Sequence, residues 1–565
     1  MKASAAFVLS GILAIAAGAG CGGGTPQTPP PDPSLITTSG LGPDEPALQV
    51  MARCPGDPGC PDQGDGQLFA AAAKRDITPV VEPFVDLNNN EVYDDGEPYT
   101  DLNSNGKFDP VWIAGYGSGR LAFGIHDPTW LRCYVLRQNQ TTVAHCVVDC
   151  VGYFQNEQEQ IRADLDPKLG VDLLMMGASH LHETQDSVGI WGPDDTTSGY
   201  DPAYMLRIRK AAVDAITEAV GKLKPAKMTI GSILVEDPDH SMVSYVSDTR
   251  DPVVIDNRMH VMQFDAADDG KPISTVLVWA SHPESVGSHN HYVTNDFTYY
   301  LRRSVERHTG SDVVFVNGAL GGQVGPGAVQ PRGDDGKLLP RGERSFRFAQ
   351  AWGEGLADFA MKAFDKREMV PSPKLRFLYT MFNAHVENSR YHTAFFLKIL
   401  NREVFGYDKG KPLLRTEEFD NAPLVRSEAA YLTLGPASIS TAPGELLPEL
   451  FLGGYDGSRA GTYQFIDTKQ PNSPDPSKAP KAPYLIDMMK GPVEHRMIFG
   501  LTLDFLGYIV PRYNFVLDDL APYVGEAKGD HYEETNSIGP RAEPEIVGMM
   551  RQLVLQMNAD LEKQK

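Results

Sequence analysis

In LLMMGASHLHETQD (Leu173 to Asp186) an apolar run ends in small residues, and two histidines follow one residue apart, His180 and His182. Imidazole nitrogens bind zinc and act as general acids and bases near neutral pH. Residues two apart in a strand share a face. Both rings would therefore aim at one spot past a buried strand end, where α/β folds build their sites. A pair of surface histidines is the plainer reading, and partners elsewhere must decide. STVLVWASHPESV closes an apolar strand on His282, ASISTAPGELLPEL runs into Glu445, and GLTLDFLGYIVPRYNF carries Tyr508. Each offers one N or O ligand at the end of an apolar stretch. Catalytic zinc needs a few such ligands and one open position.

A second pattern concerns a different cation. In DLNNNEVYDDGEPYTDLNSNGKFD (86–109), side-chain oxygens recur every second residue at Asp86, Asn88 and Asn90, followed by Asp94 and Glu97. The pattern returns at Asp101, Asn103, Asn105 and Asp109, with Gly96 and Gly106 at the turns. Ca²⁺ takes six to eight oxygens from such a wrapped loop. The unit resembles the loops of EF-hand-like and thrombospondin-like calcium repeats and lacks flanking helices. Its expected role is structural, in a surface insertion.

The elements that must carry these residues are mixed. Strands are expected at Cys133–Arg137, Val143–Val148, Val171–Met176, Met228–Val235, Thr275–Ala280 and Val313–Asn317. Helices are expected from Asp201-Pro202, after Asp296, over Phe346–Phe364 and at the C-terminal end. This alternation implies an α/β fold: a single large mixed-sheet domain, helices packed on the sheets and the metal site at strand ends. The chain of 565 residues, 41% hydrophobic, can bury a sizeable core, and its net charge of −23 argues against a nucleic-acid partner.

The N-terminus reads as a targeting segment. Lys2 precedes an apolar stretch, Ala5 to Ala19, too short to span a bilayer. Cys21 follows Ala-Gly, as in a bacterial lipoprotein signal, although Gly18 stands where Leu is usual. The expected organisation is a signal at 1–21 lipidated on Cys21, a Gly/Pro-rich tether at 22–66, and a catalytic domain at 67–565 with the calcium-loop insertion. The protein would be exported, either anchored in the cell envelope or secreted. Cys54 with Cys60, and Cys133 with Cys146 across a hairpin turning at Asn139-Gln140, are placed to pair, leaving Cys150 over.

Taken in order, the motifs resemble the neutral (non-lysosomal) ceramidases, zinc-dependent amidases of sphingolipids. RDITP at Arg75 opens the domain. GYG and GIHDPTWLRCYVL (115–136) are similar to the family's Gly-rich turn and GIH strand. ASHLHETQD lies where the family has THTHSGP, ASHPESV resembles HPTS, PGELL resembles PGEF, and HYEETNSIGP resembles RYEG…GP. GLTLDFLGYIV resembles the stretch with the tyrosine ligand. The resemblance runs from Arg75 to the terminal helix. It implies zinc on His180, His282, Glu445 and Tyr508, with His182 beside the scissile carbonyl as acid/base or oxyanion partner.

The departures are specific. Gly325 stands at the family's serine and Gln323 at its aspartate, within VVFVNGALGGQVGPG (313–327). His240 stands where an amide-binding arginine is expected, with Arg250 nearby. Glu183-Thr184-Gln185 replaces SGP, and no stretch corresponds to the family's C-terminal immunoglobulin-like domain. The loop 321–327, including Gly322, Gln323 and Gly325, is expected to line the pocket. The expected activity is hydrolysis of an amide in a lipid or N-acyl substrate through a zinc-activated water, with His182 and Tyr508 as catalytic groups. The alternative is a non-catalytic surface lipoprotein that binds lipid or glycan.

Overall fold

The computed structural model describes residues 45–236, 245–324, 326, 329–406, 411–413, 422–455 and 466–563. A nine-stranded mixed sheet forms the centre. Its strands Thr141–Val148 and Leu173–Ala178 are buried at every position and pair in parallel. That double-sided burial is why they read as continuous apolar runs rather than as alternation. At the other edge, Pro272–Trp279 pairs in parallel with Val313–Asn317. His282 and the Gly-rich loop therefore leave neighbouring strand ends.

Successive side chains of this sheet feed two cores. Leu131, Cys133, Val135, Ala144, Cys146 and Val148 pack under the helix Pro202–Gly221. Further along the same face, Val261, Leu277, Trp279 and Phe315 pack under the helices Asp296–Thr309 and Phe346–Asp365. The opposite face meets a second, five-stranded sheet through Tyr134, Met262, Phe264, Phe377, Leu432 and Phe499. The C-terminal helix Gly548–Lys563 covers the far side of that sheet with Met550, Leu553, Val554 and Met557. The result is helix, sheet, sheet, helix.

The helix starting at Asp201-Pro202 begins there, with the Asp201 carboxylate accepting from Ala203 N. Cys54–Cys60 and Cys133–Cys146 are both disulfides, and Cys150 is buried and free. Residues 45–66, within the tether expected over 22–66, are part of the fold, and 22–44 lie outside the described residues. Ala52–Cys54 adds an antiparallel edge strand against Phe377–Tyr379. Leu48 and Val50 pack on the core of the second sheet, and Gln552 ties Leu48 N at 3.0 Å. Apolar residues with a sheet edge to join do not stay in a linker. Cys21 lies outside the described residues. Among those described, no helix is long and apolar enough to cross a membrane.

Candidate metal centre

Four chain segments bring their side chains to one buried point. The strand Leu173–Ala178 stops short of the histidines, and His180 has φ 63°, in the left-handed region. The rings of His180 and His182 therefore share a target because the chain turns there, not because of strand alternation. A non-glycine residue held in that region stores strain of order 1–3 kcal/mol, a feature that clusters at functional sites. The carbonyl of Val151 accepts from His180 Nδ1 at 2.7 Å, and that of Gln323 from His282 Nδ1 at 2.9 Å. A carbonyl can only accept, so each Nδ1 carries a proton, and Nε2 is the atom each ring turns inward, able to donate to the Glu445 carboxylate when protonated and to bind a cation when not. Glu445 and Tyr508 sit opposite each other in a two-residue parallel bridge. Gly507, at φ 70°, makes that bridge possible: its carbonyl accepts from Glu445 N at 2.9 Å, and a Cβ there would lie 2.0 Å from Asn536 O.

The inner atoms are close. Glu445 Oε2 lies 3.3 Å from His180 Nε2 and 3.1 Å from His282 Nε2, and Tyr508 O–H is 3.3 Å from His282 Nε2. His182 Nε2 approaches His180 Nε2 to 3.2 Å. All of these residues are buried. Burial alone would raise the Glu445 carboxyl, but the His180 and His282 rings outweigh it and hold it well below the usual carboxylate range. Burial and then the charge of Glu445 push the Tyr508 phenol well above its ordinary value.

This donor set fits a divalent cation. Two inward ring nitrogens and a buried carboxylate within 3.3 Å gather around one point that calls for positive charge, supplied by ring protons in the empty site or by a bound cation. The ligand nitrogens of His180, His182 and His282 lie within 4.8 Å of one another. Their outer nitrogens face acceptors, the arrangement by which proteins orient metal-binding imidazoles.

His182 is held from several sides. Its ring packs edge-on to Tyr116 at 5.6 Å, and Glu284 Oε1 lies 3.0 Å from its Nδ1. Gly115, at φ 113°, leaves room for it: a Cβ there would be 2.4 Å from His182 Cβ. Its carbonyl accepts from the Arg120 guanidinium, which also pairs with Glu183 at 3.1 Å. Burial lowers the His182 ring to about 4, with Glu284 opposing the shift. Burial would raise Glu284, but His182 and His282 outweigh it and hold it at about 2. At neutral pH the pair is thus a carboxylate beside a neutral imidazole.

The other expected site residues fall into place unevenly. Gln323 is fully buried, its amide engaged by Asp256 N at 2.8 Å and by Ala280 O. Its carbonyl is what orients His282, a positioning task for which its sequence gives no sign. Gly322 is packed against Asp248 and accepts from Thr249 N at 3.0 Å. His240 and Gly325 lie outside the described residues.

In the acidic loop, Glu97 clamps Leu87 N at 2.7 Å and Asp94 N at 3.0 Å, while Asp86, Asn88 and Asn90 fold onto the same turn. A residue unnoticed in the sequence completes the second turn. Glu82 clamps Leu102 N and Asp109 N, both at 2.9 Å, around Asp101, Asn103 and Asn105. EPFVDLNNNEVYD (82–94) and EPYTDLNSNGKFD (97–109) are the same unit fifteen residues apart, and each glutamate clamps the other copy across a bridge between Phe84 and Tyr99. A self-comparison at short period would have exposed Glu82.

Residues 102–323 match the family described as neutral/alkaline non-lysosomal ceramidase, N-terminal. That segment is similar to the neutral/alkaline ceramidases. It contains His180, His182 and His282 and covers about two fifths of the chain. The fold is a ceramidase fold beyond it. The neutral ceramidase from Pseudomonas aeruginosa superposes with a TM-score of 0.57 at 15% identity, over 88% of this chain and 75% of that one. A ceramidase complexed with C2 gives 0.55 at 14% identity, over 87% and 76%. No curated protein matches in sequence. Glu445 and Tyr508 lie outside the ceramidase-family match, so their place at the centre rests on the geometry above.

Proposed function

We propose that this chain is a zinc-dependent hydrolase of the ceramidase type that cleaves an amide bond in a lipid or N-acyl substrate. The observation that carries the reading is the convergence of His180, His282, Glu445 and Tyr508 on one buried point lined with inward ring nitrogens. The ceramidase-family segment supports a hydrolase of ceramide-type lipids. When bound, zinc supplies Lewis acidity toward a carbonyl and makes water nucleophilic near neutral pH. The two Nδ1–H donors to Val151 and Gln323 keep the ligand rings from turning away. His182 Nε2, on the same centre, accepts the proton of the attacking water and returns it to the leaving nitrogen. A narrow apolar cavity of about 40 Å³ lies alongside, lined by Phe154, Val188, Tyr391, Phe395, Phe505 and Gly507. Phe505 touches the His180 ring at 5.8 Å, so the cavity could take the first methylenes of an acyl chain.

Dialysis against a chelator is expected to abolish hydrolysis of a short-chain N-acyl sphingoid base, and stoichiometric zinc to restore it. A wild-type protein that binds lipid without zinc and without turnover would support the non-catalytic reading instead.

The remaining expectations form part of the same reading: export guided by residues 1–21, lipidation at Cys21, and Ca²⁺ in the paired acidic turns. The two disulfides suit an oxidising compartment. Calcium bound only by the native state at 100 times its Kd adds about 2.7 kcal/mol per site. Millimolar Ca²⁺ should therefore raise the melting temperature, and Glu82→Gln and Glu97→Gln should each remove part of the rise. An identical melting curve with and without Ca²⁺ would rule the sites out.

A further inference from the structure

Glu284 belongs to none of the roles described so far, yet it faces the reaction centre. Its side chain is buried, and its carboxylate lies 3.0 Å from His182 Nδ1. The contact falls short of hydrogen-bond geometry, so the carboxylate acts on the ring electrostatically as placed. The nearby guanidinium of Arg120 is already taken by Glu183, which Asn290 also holds at 2.8 Å. The Glu284 backbone is fixed at both ends: its carbonyl accepts from Tyr116 O–H at 3.2 Å, and its N–H reaches His282 O at 3.1 Å. Tyr116 in turn packs on the His182 ring. Carboxylate, ring and phenol thus form one braced unit, in which the chain link to His282 ties His182 to a zinc ligand.

We propose that Glu284 is a positioning residue that holds His182 with the proton on Nδ1 and the Nε2 lone pair on the centre, making a carboxylate–histidine dyad the proton carrier of the reaction. The assignment rests on the hydrolase reading. It also gives that reading a defined proton acceptor. Without the carboxylate, either ring nitrogen can carry the proton, and the Nε2–H form cannot accept one. Glu183, the adjacent carboxylate, cannot substitute because its charge is matched by Arg120.

The test compares wild type with Glu284→Gln and Glu284→Asp, each loaded with one equivalent of zinc. Turnover of a short-chain N-acyl sphingoid base should fall about 10- to 100-fold in kcat for Glu284→Gln, with KM within about threefold and zinc content unchanged. Glu284→Asp, which keeps the charge, should recover part of the loss. An unchanged kcat, or a loss that tracks loss of zinc, overturns the assignment. A second readout needs no substrate: with ¹⁵N-histidine labelling, the wild-type His182 signal should report the Nδ1–H form, and Glu284→Gln should shift it toward Nε2–H. An unchanged tautomer overturns the dyad even if turnover falls. A wild type that shows the tautomer but hydrolyses no N-acyl substrate leaves the dyad standing and refutes the hydrolase reading.

Discussion

Glu445→Ala is expected to abolish stoichiometric zinc binding and to lower turnover by about 10³-fold or more, the several kcal/mol of charge stabilisation that a metal supplies at a reacting carbonyl. Among the described residues, Glu445 is the only carboxylate touching both inward ring nitrogens, at 3.1 and 3.3 Å. Its removal leaves two neutral imidazoles and a phenol, too little negative charge to hold a dication in a dry site. Glu445→Gln, of the same shape, should behave alike in zinc content. His182→Ala is the contrast: zinc stays, and kcat falls by about 10²- to 10⁴-fold. Atomic absorption on the purified variants, beside their turnover, separates the two roles. Zinc lost from His182→Ala and kept by Glu445→Ala would invert the assignment.

Arg250→Ala is expected to cost about 3–5 kcal/mol of stability, because it leaves buried carboxylates without their cation. The guanidinium holds Glu534 through two bonds, at 2.7 and 2.9 Å, and Glu533 at 3.1 Å, with all three residues buried. Arg250→Lys should recover little, since an ammonium cannot make the forked contact. The cost depends on pH in a definite direction. Burial would raise Glu534, but Arg250 and His531 outweigh it and hold it at about 2. Its stabilising contribution is therefore present above its unfolded value, about 4.3, and is lost as pH falls toward 2. In the variant the carboxyl stays protonated to higher pH, so the gap between the two proteins should narrow on acidification. Urea unfolding at pH 7 and pH 4 measures it. A difference below about 1 kcal/mol at pH 7 would show that the cluster is satisfied without Arg250.

Arg250 also matters to the centre. The turn Glu533–Asn536 ends at Ser537, which bridges to Gly507. Tyr532, one residue before the turn, packs on Tyr508 at 6.0 Å. Loosening this cluster should reach Tyr508.

How much of this could be read from the sequence depends on the kind of signal each residue leaves. Leu173–Ala178 and Val313–Asn317 are apolar on both faces, so their runs mark strands directly. Asp201-Pro202 announces its helix through capping chemistry. The residues that converge on the centre could be named from ordered motifs, but the reason His180 and His182 converge could not. Strand alternation gave the right pairing for the wrong cause, because a left-handed backbone at His180 has no signature in residue type. The second sheet was largely hidden. Leu375–His385 and Leu424–Leu434 owe their place to long-range pairing with each other, which local pattern does not encode. Glu284 and the carbonyls of Val151 and Gln323 were hidden for the same reason. Each acts on a residue distant in the chain or through its backbone, and neither leaves a motif.

The central claim is that one zinc ion is held by His180, His282, Glu445 and Tyr508. Anomalous diffraction at the zinc edge, on crystals of the full chain grown without chelator, addresses it most directly. The expected result is a single strong peak bonded to both Nε2 atoms, a Glu445 oxygen and the Tyr508 oxygen at about 2.0–2.2 Å, with His182 outside bonding distance. No peak at this point, or a peak bonded to His182 with Glu445 or Tyr508 turned away, would contradict it.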